Sequence, residues 1–191
     1  MQYIVSGPSR TGSTLLYMIL WSAKVDVLKT HDCFFKVEDP ANSVMVFSLR
    51  KNLFRSMMSC LVAKRTQFIT TVDPNIVLPK VEPFVIECEN YDSEFQKQYR
   101  WHKWYVKSHD STIPYHRVET FYLEDFADNY DIVYEKLGLE KKREFLPTVE
   151  IGYKYTDLVI NHKECKKVFD ELEATSKFEQ LLSPYDPNLK N

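Results

Sequence analysis

Glycine is scarce in this chain, with four residues in 191, about 2% where ~7% is usual. Two of the four, Gly7 and Gly12, fall within six consecutive positions, so half of the residue type that best tolerates tight backbone is concentrated in one loop. Long apolar runs are missing as well: no segment approaches the ~18 consecutive apolar residues that a membrane span needs. The amino terminus has neither a charged leader nor a cleavage-site pattern, and it enters a strand by Gln2. Cysteine is sparse and unpaired in pattern. Cys33, Cys60, Cys88 and Cys165 form no C-x-x-C pair and no metal-ligand spacing, which points to free thiols in a reducing cytoplasm and to no bound metal. There is no basic excess either. Twenty-five Lys and Arg against 27 Asp and Glu leave a net charge of −2, which excludes a nucleic-acid coat.

What is present is ordinary in bulk and uneven in distribution. Hydrophobic residues at 44% and charged residues at 27% exclude wholesale disorder, and the length suits one domain with a sizeable core. Residues 1–70 hold nine Lys/Arg and four Asp/Glu, whereas the remaining 121 hold sixteen and twenty-three. The first third therefore carries the local positive charge that a small anion requires.

Hydrophobic patterning predicts alternating strands and helices. Tyr3-Ile4-Val5 reads as a buried strand stopped by Ser6-Gly7-Pro8. Gly12 to Ala23 follows as a helix with Leu15, Leu16, Ile19 and Leu20 on one side. Val25 to Lys29 is a second strand, Val44 to Leu49 a third, and Leu53 to about Gln67 a helix. Phe84 to Glu87 alternates like a strand. Ser93 to His109 reads as a helix with Phe95, Tyr99, Trp101, Trp104 and Tyr105, which could pack in the core or line an acceptor pocket. Arg117 to Tyr122 is a further strand, Glu124 to Leu137 a helix closed by Gly138, and Lys163 to Leu182 an amphipathic helix. Such alternation is the signature of a parallel α/β sheet, whose ligands bind beyond the carboxyl ends of the strands. Loops 6–12, 30–39 and 50–52 are expected to open on that edge.

The first loop has the composition of an anion cradle. Gly7-Pro8-Ser9-Arg10-Thr11-Gly12-Ser13-Thr14 runs from a strand into a helix, so backbone amides and the helix dipole can face an anion. Thr11, Ser13 and Thr14 add hydroxyls and Arg10 a guanidinium. The spacing is close to the nucleotide-triphosphatase loop G-x-x-x-x-G-K-[ST], but Ser13 stands where that loop has lysine. The third strand ends in Leu49-Arg50 rather than in a magnesium-binding aspartate, which disfavours a metal-dependent ATPase or GTPase.

The string from Val5 to Leu16, VSGPSRTGSTLL, resembles the 5′-phosphosulfate loop of sulfotransferases that use 3′-phosphoadenosine 5′-phosphosulfate (PAPS), in the Pro-Arg-Thr-Gly-Ser-Thr form found in some bacterial members, with Ser9 in the proline's place. The resemblance implies a P-loop-like three-layer α/β fold with a central, mainly parallel sheet flanked by helices. It implies a single domain over 1–191, with 1–66 as the nucleotide-binding core and 67–116 as a variable, acceptor-side region. PAPS would be the co-substrate and adenosine 3′,5′-bisphosphate the product, with no metal, and the acceptor would be a small molecule, glycan or peptide. Arg10 would lie near the bridging oxygen, while Thr11, Gly12, Ser13 and Thr14 would hold the 5′-phosphate and sulfuryl oxygens.

Lys29-Thr30-His31 resembles the segment that carries the catalytic histidine in cytosolic sulfotransferases. Histidine, with an ordinary pKa near ~6.5, can take the acceptor's proton at neutral pH, and a neighbouring lysine can stabilise charge on the transferring oxygens. Asp32 and Glu38 are rival bases. After the third strand, Arg50 and Ser59 resemble the family's 3′-phosphate pair, and Lys51 is an alternative to Arg50 because Ser59 lies eight residues beyond it. Residues 118–126, VETFYLEDF, resemble the family's strand ending in Tyr-Glu-Asp, with Leu123 in the tyrosine's place. The family's late Arg-Lys-Gly-x-x-Gly segment is missing, and Lys141-Lys142-Arg143 reads as a solvated charge run. Two further readings stay open: a magnesium-dependent small-molecule kinase, and a nucleotide-binding module without turnover.

Overall fold

The computed structural model describes residues 1–8, 10–31, 37–67, 77–87, 114–144 and 153–174. The chain forms β1 (Gln2–Ser6), α1 (Ser13–Ser22), β2 (Asp26–Thr30), a 3-10 turn (Pro40–Asn42), β3 (Ser43–Leu49) and α2 (Leu53–Thr66). Then come β4 (Arg117–Tyr122), α3 (Leu123–Phe126), α4 (Asp131–Leu137), α5 (Tyr155–Leu158) and α6 (His162–Ala174). The four strands make one sheet in the order β2-β1-β3-β4, and every pairing is parallel. Helices flank this sheet, so the fold is α/β. No helix among the described residues is long and apolar enough to cross a membrane.

Both faces of the sheet are covered, which is why β3 is buried along its whole length and reads as a nearly continuous apolar run. Successive side chains alternate between the faces. Tyr3, Val5, Val44, Val46 and Phe121 pack with α1 and α4 around Leu16, Ile19, Leu20 and Val133. Ile4, Met45, Phe47 and Leu49 point the other way and form their own cluster. A third cluster joins α2 to α5 and α6 through Phe54, Met58, Leu158 and Phe169.

Two expectations change. The helix expected over Glu124 to Leu137 is two helices, α3 and α4. The break falls at Asp128-Asn129, where the Asn129 side chain accepts from the Asp131 amide (3.3 Å); short polar side chains of this kind compete with helical hydrogen bonds. Gly138 does close α4, in the left-handed region at φ 67°. The strand expected at Phe84 to Glu87 is a single bridge, Phe84 with Val159, flanked by mutual hydrogen bonds between Asn161 and the Ile86 backbone. The last helix begins at His162 and is described to Ala174; the aromatic segment Ser93 to His109 lies outside the described residues.

The α4 helix is fixed to β4 by charge as well as by apolar packing. Glu119 accepts from Arg117 Nε and Lys136 Nζ, both at 2.9 Å, and the Lys136 ammonium lies 4.9 Å from the Phe121 ring centre. Burial acts to raise the Glu119 carboxyl, but hydrogen bonds and charge from Lys136 and Arg117 more than offset it and hold the group below its ordinary 4.5. A lowered carboxyl stabilises the fold above its unfolded pKa, and that contribution is lost as pH falls through the folded value. Glu119→Gln is therefore expected to cost about 0.5–1 kcal/mol at neutral pH. In urea titrations the difference from wild type should shrink as pH falls below the ordinary carboxylate range and through the folded-state value.

Candidate functional site

Strand order decides where the site can be. From β1 the chain passes through α1 to β2 on one side, then crosses back to β3 on the other. The loops leaving β1 and β3 therefore diverge from adjacent strands, and a crevice at such a switch point is the usual ligand position in open α/β sheets. Of the eight buried polar residues among those described, six lie at this place: Ser6, Thr11, Ser13, Ser48, Arg50 and Ser56. They belong to the carboxyl ends of β1 and β3 or to the loops and first helical turns that follow. Burying polar groups is costly unless they are partnered, so their concentration here marks a built feature.

The first loop is pressed onto β3. A Cβ on Gly7 would fall 2.2 Å from the Ser48 carbonyl oxygen, a position only glycine can occupy. Ser48 Oγ donates to the Thr11 carbonyl (2.7 Å), and Thr11 Oγ1 donates to the Pro8 carbonyl (2.7 Å). The Thr11 hydroxyl is thus used inside the loop, and what Thr11 can offer an anion is its backbone. Arg10 and Gly12 both have left-handed backbones, at φ 68° and 84°. Gly12 opens α1 with no side-chain cap, and no acidic residue lies in that helix's first turn, so its positive dipole end carries no carboxylate of its own.

Around this cradle the sequence-predicted residues converge. Arg10 Nε donates to Ser59 Oγ at 3.0 Å across 49 residues of chain. Lys29 Nζ, at the end of β2, donates to Thr14 Oγ1 (2.9 Å), and burial holds its ammonium below the ordinary lysine value. His31 Nδ1 lies 2.8 Å from the Gly7 carbonyl. A carbonyl only accepts, so Nδ1 carries the hydrogen and Nε2 is the basic nitrogen of the neutral ring.

Arg50 and Lys51 separate clearly. Arg50 is 4% exposed. Lys51 is exposed and engaged elsewhere: its ammonium pairs with Asp125 and its amide donates to Glu124 Oε2 (3.0 Å). Asp125 raises the Lys51 ammonium above its ordinary value by hydrogen bonding and charge, against a smaller opposing effect of burial. Of the rival bases, Glu38 is exposed and Asp32 lies outside the described residues. Lys141 and Lys142 are exposed. The Lys142 and Arg143 amides donate to the Ser22 carbonyl, and Arg143 Nε donates to the Trp21 carbonyl (2.8 Å). That run caps the far end of α1, about 15 Å of helix away from the crevice.

Sequence reasoning missed Ser48, although a serine inside the run Val44 to Leu49 was the available signal. It also missed the hold of Glu124 on the β3 loop, which no local pattern announces. Compared with protein-family models, with curated proteins and with solved structures, the chain shows no significant match.

The Gly7 contact is the sharpest test of this geometry. Gly7→Ala forces a methyl against backbone rather than against a movable side chain, and is expected to destabilise by about 1–3 kcal/mol. Gly12→Ala meets Leu123 Cδ1 at 2.5 Å. Adding Leu123→Ala should recover part of that loss, whereas no side-chain truncation should rescue Gly7→Ala; thermal melts of the variants distinguish the two.

Proposed function

We propose that the chain is a PAPS-dependent sulfotransferase, moving a sulfuryl group to a hydroxyl or amine acceptor by in-line, metal-independent transfer. The observation that carries this reading is the 3.0 Å hydrogen bond from Arg10 Nε to Ser59 Oγ. It joins the residue expected at the 5′-phosphosulfate to one expected at the 3′-phosphate, so both anionic ends of one nucleotide could be served from a single crevice. Ser13 in the lysine position and Leu49-Arg50 at the end of β3 speak against a magnesium–ATP kinase, and the P-loop-like character of the fold belongs to this proposal. Cys60 and Cys165 are buried and outside any disulfide, which suits a reducing cytoplasm.

In this reading the α1 amides with Ser13 and Thr14 hold the 5′-phosphate and sulfuryl oxygens. Arg10 and Lys29 offset charge as it develops on the sulfuryl group and the leaving phosphate. Arg50 and Ser59 take the 3′-phosphate. His31 Nε2 removes the acceptor's proton as its oxygen or nitrogen bonds to sulfur, and the bond from sulfur to the bridging oxygen breaks with adenosine 3′,5′-bisphosphate leaving. Because Nδ1 is anchored on the Gly7 carbonyl, the loop that holds the donor also orients the base. Positioning and preorganised charge supply most of the rate enhancement.

Two measurements test this. In calorimetric titration without metal, adenosine 3′,5′-bisphosphate should bind more tightly than ATP with magnesium, and Arg10→Ala should weaken it by about 10- to 100-fold, the worth of a charged hydrogen bond. Preference for ATP with magnesium would overturn the proposal in favour of the kinase. His31→Ala should bind the bisphosphate within about twofold of wild type yet lose ~10²-fold or more in transfer across an acceptor panel. Unchanged transfer would move the base to Asp32 or Glu38.

A further inference from the structure

The short helix α3 touches both loops of the crevice. Leu123 lies directly against Gly12 of the first loop, where a Cβ would meet its Cδ1 at 2.5 Å. The next residue, Glu124, reaches the β3 loop: Oε2 accepts from the Lys51 amide (3.0 Å) and Oε1, more weakly, from the Asn52 amide (3.4 Å). Asp125 then pairs with the Lys51 ammonium, which also lies 5.8 Å from the Tyr122 ring centre. Three consecutive residues, more than 70 positions from the β3 loop in sequence, hold its backbone and its lysine and abut the loop that follows β1.

The two long helices that start at this edge are treated differently. At α2 the Asn52 side chain accepts from the Arg55 amide (2.8 Å) while Glu124 takes the amides of Lys51 and Asn52. The amides that precede α2 are thus supplied with a carboxylate from the protein itself, and a ligand anion there would have to displace it against like charge. At α1 the N-cap is Gly12, which supplies no side-chain cap, and the helix's own first turn holds no acidic residue.

We propose that Glu124 is a positioning residue for nucleotide binding: its carboxylate latches the β3 loop so that Arg50, immediately before the latched amides, is held in register with the α1 cradle. This rests on the sulfotransferase reading for the identity of the ligand, but the latch itself is a property of the chain. It also assigns the second anionic group to Arg50 rather than to Lys51, whose hydrogen-bonding groups are engaged by Glu124 and Asp125.

The experiment combines amide hydrogen exchange with titration by adenosine 3′,5′-bisphosphate on wild type, Glu124→Ala, Glu124→Gln, Arg50→Met and the double variant Glu124→Ala/Arg50→Met. Glu124→Ala should speed exchange at Lys51 and Asn52 by about tenfold or more while strand amides of β1 and β3 keep their protection. It should also weaken the bisphosphate by about tenfold, with Glu124→Gln, which keeps a carbonyl acceptor, falling between. In the Arg50→Met background the Glu124→Ala effect on affinity should disappear, because the latch acts through Arg50. An equal loss in both backgrounds, or unchanged exchange at Lys51 and Asn52, would overturn the proposal. Should wild type bind no bisphosphate, the functional reading fails, and the exchange comparison alone then upholds or overturns the latch.

Discussion

The close passage of Gly7 beneath the Ser48 carbonyl is the constraint on which the rest of the site depends. A backbone that approaches within a methyl's breadth of its neighbour fixes the height of the first loop above the sheet, and the Ser48 hydroxyl on the Thr11 carbonyl fixes its tilt. From that seat the Gly7 carbonyl reaches His31, Arg10 reaches Ser59, and Gly12 starts α1 against Leu123. Moving the loop would disturb all three relations together. A scarce residue type is thus placed where a side chain is sterically excluded.

Electrostatics completes what sterics begins. The positive charge of the first third of the chain is partitioned, with some cations neutralised by the acidic remainder and others directed to the crevice. Lys51 is matched by Asp125. Arg10, Lys29 and Arg50 sit at or beside the switch point, and Lys29 is held there with its ammonium partly desolvated. Charges in such partly dry surroundings act more strongly on a ligand than the same charges in water.

Much of this was legible in the sequence because it rested on local, periodic signals. The runs of β1 and β3, the helical spacing of Leu15, Leu16, Ile19 and Leu20, and the clustered glycines gave the parallel α/β architecture and the first loop. Arg10, Lys29, His31 and Ser59 were visible as chemistry at the ends of strands or on the following helix. The engagement of Lys51 by the acidic turn after β4 was not, since that turn is distant in the chain. Ser48 was hidden inside a strand by its apolar neighbours. The Asp128-Asn129 break was missed because the apolar spacing on either side continues as if the helix did. Non-local hydrogen bonds and sterics leave little trace in a short window.

Arg10 adopts a left-handed backbone that costs an L-residue with a Cβ roughly 1–2 kcal/mol. Glycine, or asparagine at lower cost, would sit there more comfortably. Selection acting on folding alone would therefore drift away from the guanidinium at this position. Arg10 thus gives up some thermodynamic ease at this point on the backbone, as Lys24 and Gln67 do at theirs, and a glycine here would relieve the strain only by removing the guanidinium that reaches Ser59.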